Sequence, residues 1–146
     1  MALAERRASV TWKGNLTQGT GTITSGSGAL TDLAVTWASR TERSDGKTSP
    51  EELIASAHAA CYSMAFSNTL TQAGHTPEQL SVTAVCSLDR VESGLKITTM
   101  QLDVRGKVPG IDQATFVDLA QKAELGCPVS NALRNNVAIT VTAQLE

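Results

Sequence analysis

The sequence predicts an α+β fold, and three observations carry that reading. Residues 49–73 form one long helical stretch with no internal breaker. Short β-branched runs cluster before it. A period-two run, Leu80 to Leu88, follows it. Strands and helices are therefore grouped along the chain and do not alternate strictly, which is the α+β pattern. At 146 residues the chain is expected to form a single domain, residues 1–146, with enough length for a core.

The N-terminal part reads as an antiparallel meander. Ser9 to Trp12 alternates, and Lys13-Gly14-Asn15 turns. Gly19 to Thr24 is a β-branched run, Ser25 to Gly28 turns again, and Leu33 to Trp37 supplies a third short strand. A polar loop, Ser39 to Lys47, leads to the helix. Charged side chains on such loops are usually solvated, so position alone gives Arg40 and Arg43 no functional weight.

The long helix has a marked start. Ser49 suits the N-cap, Pro50 the first helical position and Glu52 the acidic position of a capping box. Helix formers then run on to Gly74, giving about 24 residues and roughly 36 Å. A helix of that length is expected to be buried at the centre of the molecule. Its middle is small and apolar (Ala55, Ala57, Ala59, Ala60), and Cys61 lies in that zone.

Leu80, Val82, Ala84, Cys86 and Leu88 share one strand face, which makes Cys86 most simply a core residue. Ser93-Gly94 turns the chain, Leu95 to Val104 is the return strand of a hairpin, and Pro109 to Asp112 ends it. Gln113 to Leu125 is an amphipathic helix with Phe116, Val117, Ala120 and Ala123 on one side, stopped by Gly126. Cys127 to Leu133 restarts a shorter helix with Pro128 at its first position. Val137 to Ala143 closes the chain as a strand.

Composition excludes several classes. Apolar residues are 41% and charged residues 18%, a globular balance. The net charge of −2 and an aromatic content of 3% give no footprint for nucleic acid or an anionic membrane. No apolar run is long enough for a transmembrane helix. Met1 to Arg7 lacks an apolar signal core, so the expected address is cytoplasmic. Three cysteines, Cys61, Cys86 and Cys127, are too few for a secreted disulfide scaffold and lack the spacing of paired zinc ligands. In a reducing compartment a functional thiol pair is expected to be redox-active.

Cys127 is the more informative thiol. It falls at a helix N-cap, where free amides and the helix dipole favour a negative sulfur. Ser, Thr, Asp and Asn are the usual caps, so a cysteine there suggests that its sulfur is used. Cys61, mid-helix among apolar residues, is expected to have a raised pKa unless a cation approaches it. Arg40 and Arg43 are the candidate cations, and Glu51 and Glu52 the candidate partners for a buried arginine. Glu51 and Cys61 are about 15 Å apart along one helix, too far for one arginine to touch both easily. A Glu51 serving a Cys61 site is therefore expected to come from a second copy, in a homodimer with composite sites. His58, three residues before Cys61, leaves open a Cys–His hydrolase dyad, although packing is the commoner role.

Ser49-Pro50-Glu51-Glu52-Leu53-Ile54-Ala55, Ala57-His58-Ala59-Ala60-Cys61 and Gly126-Cys127-Pro128-Val129-Ser130 together resemble the OsmC/Ohr family. Pro109-Gly110-Ile111-Asp112, the His58-Ala59-Ala60-Cys61 form of the helix motif and Lys122 to Pro128 resemble its OsmC branch more than its Ohr branch. The resemblance runs nearly end to end. It implies an OsmC-like fold in an intertwined homodimer, and a peroxidase that reduces organic, and more weakly hydrogen, peroxides in oxidative-stress defence.

By the same resemblance Cys61 is the peroxidatic cysteine and Cys127 the resolving one. Arg40, in Ser39-Arg40-Thr41-Glu42, matches the family's loop arginine, and Glu51 the acid that pairs with it. Helix position alone would make Cys127 the first nucleophile; the resemblance assigns that role to Cys61, and a close arginine in a dry site can outweigh a helix-end effect. No metal or organic cofactor is implied. The implied partners are a hydroperoxide and an external dithiol such as dihydrolipoamide or a lipoylated protein, with no nucleic acid and no membrane. Two other readings stand beside this one: a thiol redox sensor or binding protein that does not turn over, and a hydrolase using Cys61 and His58.

Overall fold

The computed structural model describes all of residues 1–146. The chain divides into two compact units, Met1–Leu53 and Ile54–Glu146.

The first unit carries the expected meander. Strands β1 (Ala8–Lys13), β2 (Thr20–Ser25) and β3 (Leu33–Val35) pair antiparallel in that order. Gly21 lets Trp12 lie across β2, since a Cβ there would stand 2.9 Å from the Trp12 ring and 2.7 Å from a Val35 methyl.

Where a strand end and a loop were expected, the chain instead forms a short helix, α1 (Trp37–Thr41). Thr36 caps it: its Oγ1 accepts the Ser39 N–H at 3.0 Å, and Ser39 Oγ accepts the Thr36 N–H at 2.9 Å. This is a capping box with serine in place of the usual Glu or Gln, and so is hard to see in sequence. Ser39 Oγ also donates to the Thr48 carbonyl at 2.9 Å, and the Thr48 N–H donates to the Ala34 carbonyl at 2.9 Å. These bonds tie the segment bearing Arg40 to β3.

Helix α2 (Pro50–Gln72) starts where the sequence places it. Ser49 Oγ accepts the Glu52 N–H at 3.1 Å, and Thr48 Oγ1 donates to the Glu52 carboxylate at 2.9 Å.

In the second unit, β4 (Gln79–Val91) and β5 (Gly94–Lys107) form the hairpin, with an irregularity at Ser87/Leu88. Strand β6 (Ala138–Leu145) lies parallel on the other side of β5, giving the order β4-β5-β6. A parallel neighbour needs a crossover connection. Helices α3 (Gln113–Gly126) and α4 (Pro128–Leu133) supply it.

Helix α2 is not buried all round, as was expected of it. It buries one stripe, His58, Tyr62, Phe66 and Leu70, at four-residue spacing, while Ala57, Ala60 and Met64 on another face are exposed. Alanine on both faces hid this division in the sequence. The stripe meets Phe116, Leu119, Ala120 and Ala123 of α3 and the inward Leu102 and Val104 of β5. Phe66 lies between two rings, with centroids 5.7 Å from Tyr62 and 5.1 Å from Phe116. Tyr62 donates its hydroxyl hydrogen to the Ala120 carbonyl at 2.8 Å, which removes the penalty of burying a phenol.

The end of α3 differs from expectation by a residue that matters. Gly126 does not stop the helix; it is its last residue. Cys127 breaks it, with φ −75° and ψ 121°. The cause is Pro128, because a residue before proline is pushed out of the α region.

Candidate active site

The structure brings the four expected residues together in two pairs. The first unit holds Arg40 with Glu51. Arg40 Nη2 donates to Glu51 Oε1 at 2.8 Å, and Nε donates to Oε1 at 3.0 Å and to Oε2 at 3.3 Å. Glu51 is buried at 7% exposure, while the Arg40 side chain keeps 31%. Arg43, the other candidate cation, is exposed and reaches only Asp45, at 3.5 Å. The Arg40–Glu51 pair forms within one chain, so any contact that carries Glu51 to a thiol carries Arg40 with it.

The second unit holds Cys61 with Cys127. Both are free thiols, Cys127 fully buried and Cys61 half-buried. The Cys127 thiol and the Val129 amide both lie close enough to the Cys61 sulfur to act on its pKa. Burial pushes the Cys61 thiol up from its ordinary value, as its mid-helix place predicts. The Val129 amide pulls it down, and the Cys127 thiol pushes it up again.

The N-cap position of Cys127 is as expected, but its use is different. Its sulfur makes no cap hydrogen bond to α4. Pro128 has no N–H, so Val129 offers the first free amide of α4, and that amide serves Cys61. The helix start supports the other thiol.

His58 is fully buried, and its Nε2 lies 2.7 Å from Ser130 Oγ. Its Nδ1 has no hydrogen-bond partner in the protein. Neither nitrogen is bonded to Cys61, so there is no Cys–His dyad. Burial lowers the imidazole pKa, against an upward pull from Glu124.

Sequence reasoning missed the Val129 amide, Ser130 and a second ion pair. Arg134 Nη2 donates to Glu124 Oε1 at 2.7 Å and to the Glu124 carbonyl at 3.1 Å, bracing the α3–α4 corner that carries Cys127. No group of three or more His, Cys, Asp or Glu is placed to hold a metal ion, and no helix is long and apolar enough to cross a membrane.

A helix-borne thiol facing a second thiol at a helix junction, on an α+β frame, defines a protein with a juxtaposed dithiol. The comparisons with known proteins say which kind. The chain belongs to the OsmC-like family, whose profile, described as OsmC-like protein, matches residues 43–142. It is 44% identical over 128 residues to the peroxiredoxin OsmC of Escherichia coli, covering 88% of this chain and 89% of that one. It is 33% identical over 96 residues to an organic hydroperoxide resistance protein of Xanthomonas axonopodis pv. citri, covering 65% of this chain and 66% of that one. Among solved structures, the organic hydroperoxide resistance protein OhrB of Bacillus subtilis superposes with a TM-score of 0.79 at 28% identity, over 98% of this chain and 100% of that one.

Proposed function

We propose that this chain is a cysteine-based peroxidase that reduces organic hydroperoxides as a defence against oxidative stress. The juxtaposition of the Cys61 and Cys127 thiols, with the Val129 amide beside the Cys61 sulfur, carries this reading. The names of its relatives, peroxiredoxin and organic hydroperoxide resistance protein, support it.

In the first step the Cys61 thiolate attacks the outer peroxide oxygen. The S–O bond forms, the O–O bond breaks, and the departing alkoxide takes a proton to leave as the alcohol. Sulfur is oxidised to the sulfenic acid. Arg40, held by Glu51, supplies the positive charge that a buried thiolate and a developing alkoxide need. In the second step Cys127 attacks the Cys61 sulfenic sulfur, forming the disulfide and releasing water. An external dithiol, with dihydrolipoamide or a lipoylated protein as the proposed donor, then reduces the disulfide by exchange. Apolar surroundings favour alkyl hydroperoxides over hydrogen peroxide. The cycle uses no metal or prosthetic group.

The active assembly is a homodimer with composite sites, in which residues 1–146 act as one module in each subunit. Two exposed apolar surfaces support this: Val10 and Trp12 on β1, at 58% and 41% exposure, and Ala57, Ala60 and Met64 (68%) on α2. Such a dimer brings the Arg40–Glu51 pair of one chain to Cys61 of the other. The proposed compartment is the cytoplasm.

The test mixes reduced protein with cumene hydroperoxide and excess dihydrolipoamide and follows peroxide loss over many equivalents. Multiple turnovers that vanish in Cys61→Ser, with a Cys61–Cys127 bond seen by mass spectrometry, are expected. A single stoichiometric oxidation without turnover under any dithiol would point instead to a redox sensor.

A further inference from the structure

Helix α4 is short and weakly anchored by its own chain. It has six residues and no side-chain cap, so it has little stability in isolation. Its place depends on what holds it from outside. At its C-terminal end Arg134 joins it to α3 through Glu124. At its N-terminal end one hydrogen bond joins it to α2, Ser130 to His58 at 2.7 Å, and beside it Cys127 and the Val129 amide lie near Cys61. His58 and Cys61 are three residues apart and so neighbours on the helix surface.

The His58 bridge departs from simple core packing. The imidazole is fully buried with Nδ1 unpartnered, and an unpaired buried polar atom costs free energy. An apolar side chain of similar size would fill the space without that cost. His58 Nε2 and Ser130 Oγ share a hydrogen bond at 2.7 Å, the imidazole tautomer setting which of them donates. That bond is what an apolar residue could not supply.

We infer that His58 is a positioning residue for disulfide formation, pinning the first turn of α4 to α2 through Ser130 so that Cys127 stays within reach of Cys61. The inference rests on the two-thiol cycle proposed above. In that step Cys127–SH and Cys61–S–OH give Cys61–S–S–Cys127 and water. The S–S bond forms and the S–O bond breaks; Cys127 is oxidised, the Cys61 sulfenic sulfur is reduced, and the hydroxyl leaves with the Cys127 proton. Disulfide geometry tolerates little displacement of either residue. A loosened α4 slows this closure and leaves the sulfenic acid exposed to a second peroxide, which carries Cys61 on to the sulfinic acid.

The experiment is a single turnover with cumene hydroperoxide and a dimedone trap on wild type, His58→Ala, His58→Gln and Ser130→Ala, with mass spectrometry of Cys61. The trapped sulfenic acid and the sulfinic acid are expected to rise roughly tenfold or more in His58→Ala and Ser130→Ala. The glutamine amide can either donate to or accept from Ser130 Oγ, so His58→Gln is expected to stay near wild type. A merely structural role would not give this split between the two His58 variants. Disulfide closure at the wild-type rate in Ser130→Ala, and in every His58 variant that folds, would overturn the inference. A parallel series oxidised with diamide, which closes dithiols without peroxide, separates the two readings. A wild type that closes with diamide but ignores peroxide sinks the peroxidase reading, and the variants' diamide closure rates still decide the role of His58.

Discussion

Arg40 and Glu51 close their ion pair inside one chain, through two guanidinium nitrogens on one buried carboxylate, at 2.8 to 3.3 Å. The pairing orients the guanidinium through Nε and Nη2, a fork that lysine cannot reproduce. It also makes the two residues one electrostatic unit.

Arg40→Ala therefore has two expected effects. It leaves Glu51 buried without its counter-charge, a loss between those typical of exposed and of buried pairs, about 1–3 kcal/mol by urea unfolding. It also slows peroxide reduction about 10²–10³-fold, the size typical of a lost oxyanion donor. Arg40→Lys recovers part of the stability and little of the rate. Equal rates in wild type and Arg40→Ala would remove Arg40 from the mechanism.

Cys127 acts on Cys61 before any peroxide arrives. Its thiol helps to hold the Cys61 thiol above its ordinary value, with burial as the larger cause. Cys127→Ala is therefore expected to shift the pH profile of Cys61 alkylation by iodoacetamide downward. The same variant is expected to gain the mass of one oxygen atom with one peroxide equivalent and of a second with excess peroxide, as the unresolved sulfenic acid goes on to the sulfinic acid. An unchanged alkylation profile would show that the two thiols do not interact in solution.

Much of this arrangement was legible in the sequence, because local rules govern it. Ser49 caps α2 by accepting the Glu52 N–H and Pro50 is its first residue, as helix-capping chemistry requires, and the period-two run through Leu80 to Leu88 lies in β4. Cys127 sits at the start of α4 because Pro128 fixes it there. The rest depends on contacts between distant segments. Ser130 and His58 are 72 residues apart in sequence, and no local pattern announces their bond. The Val129 amide is a backbone group with no residue signature at all. Arg40 looks like any loop arginine until α1, capped by Thr36 with Ser39 in the place usually held by Glu or Gln, turns it toward Glu51.

The His58 imidazole gives the fold a dependence on pH with a definite sign. Burial lowers its pKa below the ordinary 6.5, against a smaller upward pull from Glu124. The unfolded chain then takes up a proton near that value which the folded chain resists. Stability is expected to fall as pH drops below about 6.5, and to stop falling on this account once pH passes the folded value. One proton limits the slope to ~1.4 kcal/mol per pH unit. Urea midpoints at a series of pH values measure it, and His58→Gln should flatten the curve in that window. A slope unchanged in the variant would assign the effect to other groups.

Gly106 on β5 faces the ring of Phe116, and the two define how closely α3 can lie on the sheet. A Cβ at Gly106 would stand 2.6 Å from Phe116 Cζ, 2.7 Å from Cε2 and 3.1 Å from a Leu80 methyl. Phe116 cannot easily yield, because it is fully buried and its ring packs on Phe66 at 5.1 Å. Gly106→Ala is therefore expected to push α3 outward and to destabilise by about 1–3 kcal/mol, the usual range for overpacking. Combining it with Phe116→Leu, which removes the clashing ring atoms, should give less than the sum of the two single losses, because residues in contact are not additive. Thermal unfolding of the four-member cycle measures this. Strict additivity would mean that the glycine answers to something other than the ring.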